Sequence, residues 1–317
     1  MPAAAACLAA CACAAVVSAQ ADARRGAGRA EAHRLAAVEA LELERAMDAV
    51  CVERELDPRG SVPIDVMQAR PSLPVRHPEA VEGAARAQRL LPEAKRLAAE
   101  ALRRLAREHN LSARSLAQSL ARVEAVERIR PEMELRDNAS VLYREPHTIR
   151  FGTLFLAGLR SDEGVVSVLA HELTHVADGA TGRLAPLFRR VAARAAHVRG
   201  VTPRRAEELT CDLVGLLAAR LYIARRATPE PLARRAARAV EHNCVEHDET
   251  DREHLSPRST MRALLALDPV FAAEVRGELT EETLAPGAAE ELAPRPPRAP
   301  APAPRAAPPA RRRPGPR

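Results

Sequence analysis

The stretch His171-Glu172-Leu173-Thr174-His175 decides how this chain of 317 residues is read. Two imidazoles four residues apart share one face of an α-helix, so both can reach a single metal ion, and the glutamate beside the first then lies at that ion. The flanks point to a buried helix, since Val165-Val166-Ser167-Val168-Leu169-Ala170 leads into the motif and Val176-Ala177 leaves it. Polar groups in such a place must be satisfied, and a zinc ion would do this; the alternative is a pair of core histidines held by hydrogen bonds. A catalytic zinc takes three protein ligands and keeps a fourth position for water, so a third ligand is expected elsewhere in the chain.

Downstream residues restrict the class. A metzincin would carry glycine at position 178 and histidine at position 181, whereas the chain has Asp178 and Thr181. Thr202-Pro203 reads as a helix N-cap followed by proline at the first helical position, which predicts a helix running through Leu217. On it Glu208 and Asp212 share a face, and Leu209, Leu213 and Leu216 mark an adjoining apolar stripe. Glu208 is therefore expected as the third ligand and Asp212 as the carboxylate that takes the outer N–H of a liganding histidine. The bland reading of this pair is a solvated acidic patch. Glu207 is the rival ligand, but it lies about 100° round the helix and has no carboxylate one turn later on its own face.

With these residues in view, H-E-L-T-H followed by E-L-T-C-D at 208–212 resembles the paired motifs of the gluzincin metallopeptidases that include HtpX and the CAAX prenyl proteases, with Cys211 where alanine is usual. Residues 148–159 are similar to the strand and turn that precede the metal helix in that family. Ser256-Pro257 with Arg262 looks like its late His-Pro-x4-Arg element, with Ser256 in place of the histidine. The interval from His175 to Glu208 is shorter than in the family, and nothing resembles its transmembrane helices. The resemblance covers residues 138–267 and implies zinc-dependent peptide hydrolysis by a soluble, exported relative.

The chemistry expected of such a site is compact. One Zn²⁺ per chain, held by His171, His175 and Glu208, lowers the pKa of a bound water, and Glu172 takes its proton and later delivers it to the leaving amine. A cationic or protonated side chain should stabilise the oxyanion, and Arg262, Arg258, His254 and His247 are unranked candidates. Asp178 is expected to support a histidine or to end the metal helix, where Gly179 suits a left-handed C-cap. Val141-Leu142-Tyr143 and residues 148–151 read as two short β-runs, joined by a turn at 144–147. They form either a strand edge that takes a peptide or unfolded protein as substrate, or a hairpin that only closes the core. The expected fold class is α+β and mostly helical, a zincin-like metallopeptidase domain with a small β-sheet edge beside the metal helix.

The remainder bounds the setting. Residues 3–17 are apolar but too short to span a bilayer, and Ala19-Gln20-Ala21 offers a signal-peptide cleavage site, although no Lys or Arg precedes the run. Export to the periplasm or cell envelope is expected, with secretion into the medium as the alternative; a lipid anchor at Cys11 in Leu8-Ala9-Ala10-Cys11 is a second possibility. Cleavage after Ala21 leaves Cys51, Cys211 and Cys244, so that Cys51 pairs with Cys244 or all three stay reduced.

Residues 22–130 read as an N-terminal helical extension with leucine-spaced segments at 28–56 and 78–109, and 131–285 as the metallopeptidase domain. Thr228-Pro229, Ser256-Pro257 and Asp268-Pro269 each read as a further helix start. Residues 286–317 form a Pro/Ala/Arg tail with seven Arg against two Glu, a net of +5 that accounts for most of the chain's +6. The folded part is then nearly neutral, which argues against nucleic acid as a partner. The competing function class is a non-catalytic zinc-site protein that binds polypeptide as a chaperone or adaptor. Retention of Glu172 favours the enzyme.

Overall fold

A computed structural model describes residues 71–230, 232–243 and 253–275. The expected signal segment, Cys11, the 28–56 helix, the Cys51–Cys244 pair, His247 and the C-terminal tail lie outside the described residues.

Helix α1 (Pro78–Glu108) opens on proline at its first turn and carries Leu90, Leu91, Ala94, Leu97, Ala101 and Leu105 as one buried face. Its internal Pro92 lies on the exposed side, where water can stand in for the missing N–H. Helix α2 (Ala113–Glu124) follows, capped by the Ser112 hydroxyl. Three short strands come next: β1 (Arg128–Glu132), β2 (Ala139–Val141) and β3 (Thr148–Gly152). A one-turn helix α3 (Thr153–Gly158) then leads to the motif helix α4 (Asp162–Asp178). After α5 (Ala185–Arg194) comes α6 (Ala206–Ala224), and the described chain closes with α7 (Leu232–Arg238), α8 (Pro257–Leu267) and α9 (Pro269–Val275). The fold is α+β, mostly helical with one small sheet. No helix among the described residues is long and apolar enough to cross a membrane.

In the sheet β3 is central, with β2 antiparallel on one side and β1 parallel on the other. The expected pairing of two β-runs is present, but β2 spans Ala139–Val141, so Leu142 and Tyr143 belong to the turn. Strand β1 carries Pro131 and alternating charges, a pattern tolerated only at an edge. Arg130 there pairs with Glu132 and Glu145 at 2.8 Å each, and Arg150 of β3 pairs with Glu132.

Helix α4 is buried on nearly every face by α1, α2 and α6. Leucines of α1 share one core with Val166 and Leu169 of α4 and Leu213 and Leu217 of α6, so the 78–109 segment packs directly on the motif helix. Ser161 caps the start of α4 by accepting from Gly164 N–H at 2.9 Å. At the other end Gly179 has φ 62° and ψ 179°, a positive-φ stop rather than the left-handed helical cap expected. Arg122 of α2 donates to the Val176 carbonyl there at 2.7 Å.

Two helix starts differ from expectation. Thr202 makes no capping bond, and Pro203–Arg205 forms a single 3-10 turn before α6 begins at Ala206. Thr228 precedes no helix directly, since α7 begins at Leu232. Ser256 and Asp268 do cap their helices, accepting from Ser259 N–H at 3.3 Å and Val270 N–H at 3.2 Å.

Candidate metal centre

Glycine at 215 lets the two central helices meet. A Cβ at that position would sit 2.7 Å from the Ser167 carbonyl oxygen, so any side chain would push α6 away from α4. The close approach brings Glu207, Glu208 and Asp212 in the first turns of α6 up to His171 and His175 in the last turns of α4.

Three donor atoms converge between the helices. His171 Nε2 and His175 Nε2 are 3.2 Å apart, and Glu208 Oε2 lies 3.2 Å from the first and 3.4 Å from the second. Although buried, Glu208 Oε2 has no hydrogen bond. The outer ring nitrogens are engaged separately, His171 Nδ1 with Asp212 Oδ1 and His175 Nδ1 with Glu207 Oε1, both at 2.9 Å. In neutral rings that each donate Nδ1–H to their carboxylate, the lone pairs of both Nε2 atoms and the Glu208 oxygen face one another. Three acceptors this close repel unless a cation or a proton lies between them.

The electrostatics agree. Burial opposes protonation of His171, yet the Asp212 carboxylate first and Glu208 after it favour the charged ring and raise its pKa well above the ordinary value. For His175 burial again opposes the charge, and Cys211, Glu207 and Glu208 outweigh it. Because burial pushes the Cys211 thiol up, the carboxylates carry this effect near neutral pH. Burial alone would raise the Glu208 carboxyl, but the two imidazoles hold it below the usual range. The carboxylates around the two imidazoles favour positive charge there.

Cys211 offers a competing third ligand, because its sulfur and nitrogens of His171 and His175 lie within 4.8 Å of one another. The thiol approaches His175 from the Nδ1 side, at 3.8 Å, where Glu207 already sits at 2.9 Å. The Nε2 side belongs to Glu208, so the carboxylate makes the better-formed triangle. Cys211 is buried and free.

Of the remaining expected residues some reach this triangle and others do not. Glu172 is 6% exposed on α4; burial raises its carboxyl, against the pull of His171 and His175. Of the oxyanion candidates, His254 reaches the site, its Nε2 3.5 Å from Glu208 Oε2. Arg262 is exposed on α8, and the side chain of Arg258 lies outside the described residues. Asp178 serves the turn after α4 rather than a histidine, accepting from Leu184 N–H at 2.6 Å. Tyr143 stands half exposed within electrostatic reach of Glu207 and His175, its phenol raised by burial first and Glu207 second. Sequence reasoning did not foresee the bond from His175 to Glu207 or the nearness of Tyr143, since neither leaves a periodic signal. Comparison with protein-family models, with curated proteins and with solved structures finds no match.

Proposed function

We propose that the protein is a zinc-dependent endopeptidase of the zincin type, with one Zn²⁺ held by His171, His175 and Glu208, and a peptide or unfolded protein as substrate. The donor triangle carries this reading. Ligands about 2.05 Å from a tetrahedral zinc lie about 3.3 Å from one another, and the three sides here are 3.2, 3.2 and 3.4 Å. The buried Glu208 oxygen without a hydrogen bond fits the same role.

Zinc, when bound, supplies Lewis acidity, polarising a carbonyl and making a water acidic near neutral pH. The protein's own groups do the rest. Glu172, buried beside the triangle, accepts a proton from the attacking water and returns it to the leaving amine, and the burial that raises its carboxyl suits both transfers. His254, exposed at the rim with its Nε2 3.5 Å from Glu208 Oε2, is the candidate to stabilise charge that develops on the scissile carbonyl oxygen. Strand β2 packs against α4 and pairs only with β3 among the described residues, so its outer edge can take an extended peptide by main-chain hydrogen bonds.

The test is Glu172→Gln. This variant should keep its fold and one zinc per chain while hydrolysis of unfolded casein falls by about 10²–10⁴-fold. Casein hydrolysis equal to that of the parent would remove the mechanism. Zinc uptake without hydrolysis in the parent would favour a polypeptide-binding protein instead.

A further inference from the structure

We infer that Glu207 is a positioning residue whose carboxylate fixes which nitrogen of His175 faces the metal, so that each imidazole has its own carboxylate. The inference rests on the zinc reading above and deepens it. The two pairs are alike in length, His171 Nδ1 to Asp212 and His175 Nδ1 to Glu207 both at 2.9 Å. They are unlike in setting, since the Asp212 side chain is 19% exposed and that of Glu207 38%.

Helix geometry explains how one short segment does this. Neighbouring residues on α6 point about 100° apart, so Glu208 can enter between the two Nε2 atoms while Glu207 passes outside His175 to its far nitrogen. Asp212 then reaches His171 from one turn further along. Three carboxylates within a few residues thus take three separate positions around two rings. None substitutes for another.

A neutral imidazole carries one N–H, and its other nitrogen is the one able to bind metal. An acceptor at Nδ1 holds the N–H there and leaves the Nε2 lone pair facing Glu208 and His171. The Cys211 sulfur, 3.8 Å from His175 Nδ1, is a weak acceptor. Without Glu207, His175 can shift its proton to Nε2 or turn its ring, and either change removes a ligand. Acidic residues at a helix start also favour the helix dipole, a role that touches stability alone and leaves the metal indifferent.

The full-length protein as Glu207→Leu and Glu207→Gln, with Glu208→Ala as reference, separates these roles. Zinc affinity is measured by competition with a chelator, and the visible absorption of the cobalt(II)-loaded protein reports ligand geometry. Glu207→Leu should still take one zinc but bind it roughly 10–100-fold more weakly, with shifted cobalt bands, and Glu207→Gln should recover most of both because its amide oxygen still accepts. A Leu variant with the parent's affinity and spectrum would overturn the inference, as would a Gln variant no better than Leu. So would loss of all zinc in Glu207→Leu alongside full zinc in Glu208→Ala, since Glu207 would then be the ligand. A parent protein that takes up no zinc sinks the metal reading as well, an outcome distinct from the others.

Discussion

Helix α4 carries a buried charged cluster at each end, and the two are built on different terms. At the N-terminal end Glu163 faces Arg235 at 3.3 Å, and the same guanidinium donates to the Arg226 and Ile223 carbonyls at 2.7 and 3.4 Å. Beside it Glu241 accepts from the Ser161 amide and hydroxyl at 3.2 and 2.7 Å. Acceptors there meet donors supplied by the chain. At the C-terminal end His171 Nδ1 and His175 Nδ1 meet Asp212 and Glu207, and the two Nε2 atoms and the Glu208 oxygen are left facing one another. A cluster that closes on itself reads as structural; the other is the one on which the zinc proposal rests. The contrast matters because buried charge alone does not mark a functional site.

The contrast can be broken most directly at Glu208. Glu208→Ala removes one corner of the triangle, so the variant should lose stoichiometric zinc and casein hydrolysis while staying folded. An unchanged metal content would mean that the C-terminal cluster closes some other way. At the opposite end, Arg235→Met leaves Glu163 buried beside no counter-charge and should lower stability by about 3–5 kcal/mol in urea unfolding. Zinc per folded molecule should not change, and loss of zinc from a well-folded variant would show the two clusters to be one. The smallest effect is expected at Gly215, which sits between them. Gly215→Ala places a methyl against the Ser167 carbonyl and should cost about 1–3 kcal/mol while weakening zinc binding modestly, because α6 must back away from α4. Parent stability in that variant would mean that the helices are not held at their contact distance.

What the sequence made legible follows from where each signal lives. His171 and His175 lie on one helix at a spacing that has a single geometric meaning, so their convergence could be read locally. Glu208 and Asp212 were legible as a pair for the same reason, and the structure brings both to the imidazoles. Glu207 was read only as a rival ligand, because its place depends on how α6 crosses α4, which no residue near Glu207 encodes. The glycine that sets the crossing is a single small residue in an apolar helix, and its use appears only against Ser167. Strand β1 escaped because Arg128-Ile129-Arg130-Pro131-Glu132 has edge-strand chemistry rather than an apolar alternation. Its partner β3, with Ile149 and Phe151 fully buried, was plain. His254 was one name among four until the chain's return to Glu208 singled it out.

The donor triangle takes two corners from α4 and the third from α6, so the unfolded chain offers no such arrangement. Anything that grips the native form alone holds it against unfolding in proportion to its own abundance, by about 2.7 kcal/mol at a hundred times its dissociation constant. Melting temperature would then report the supply of free ion in the surroundings, and scarcity would register as fragility before it registered as idleness.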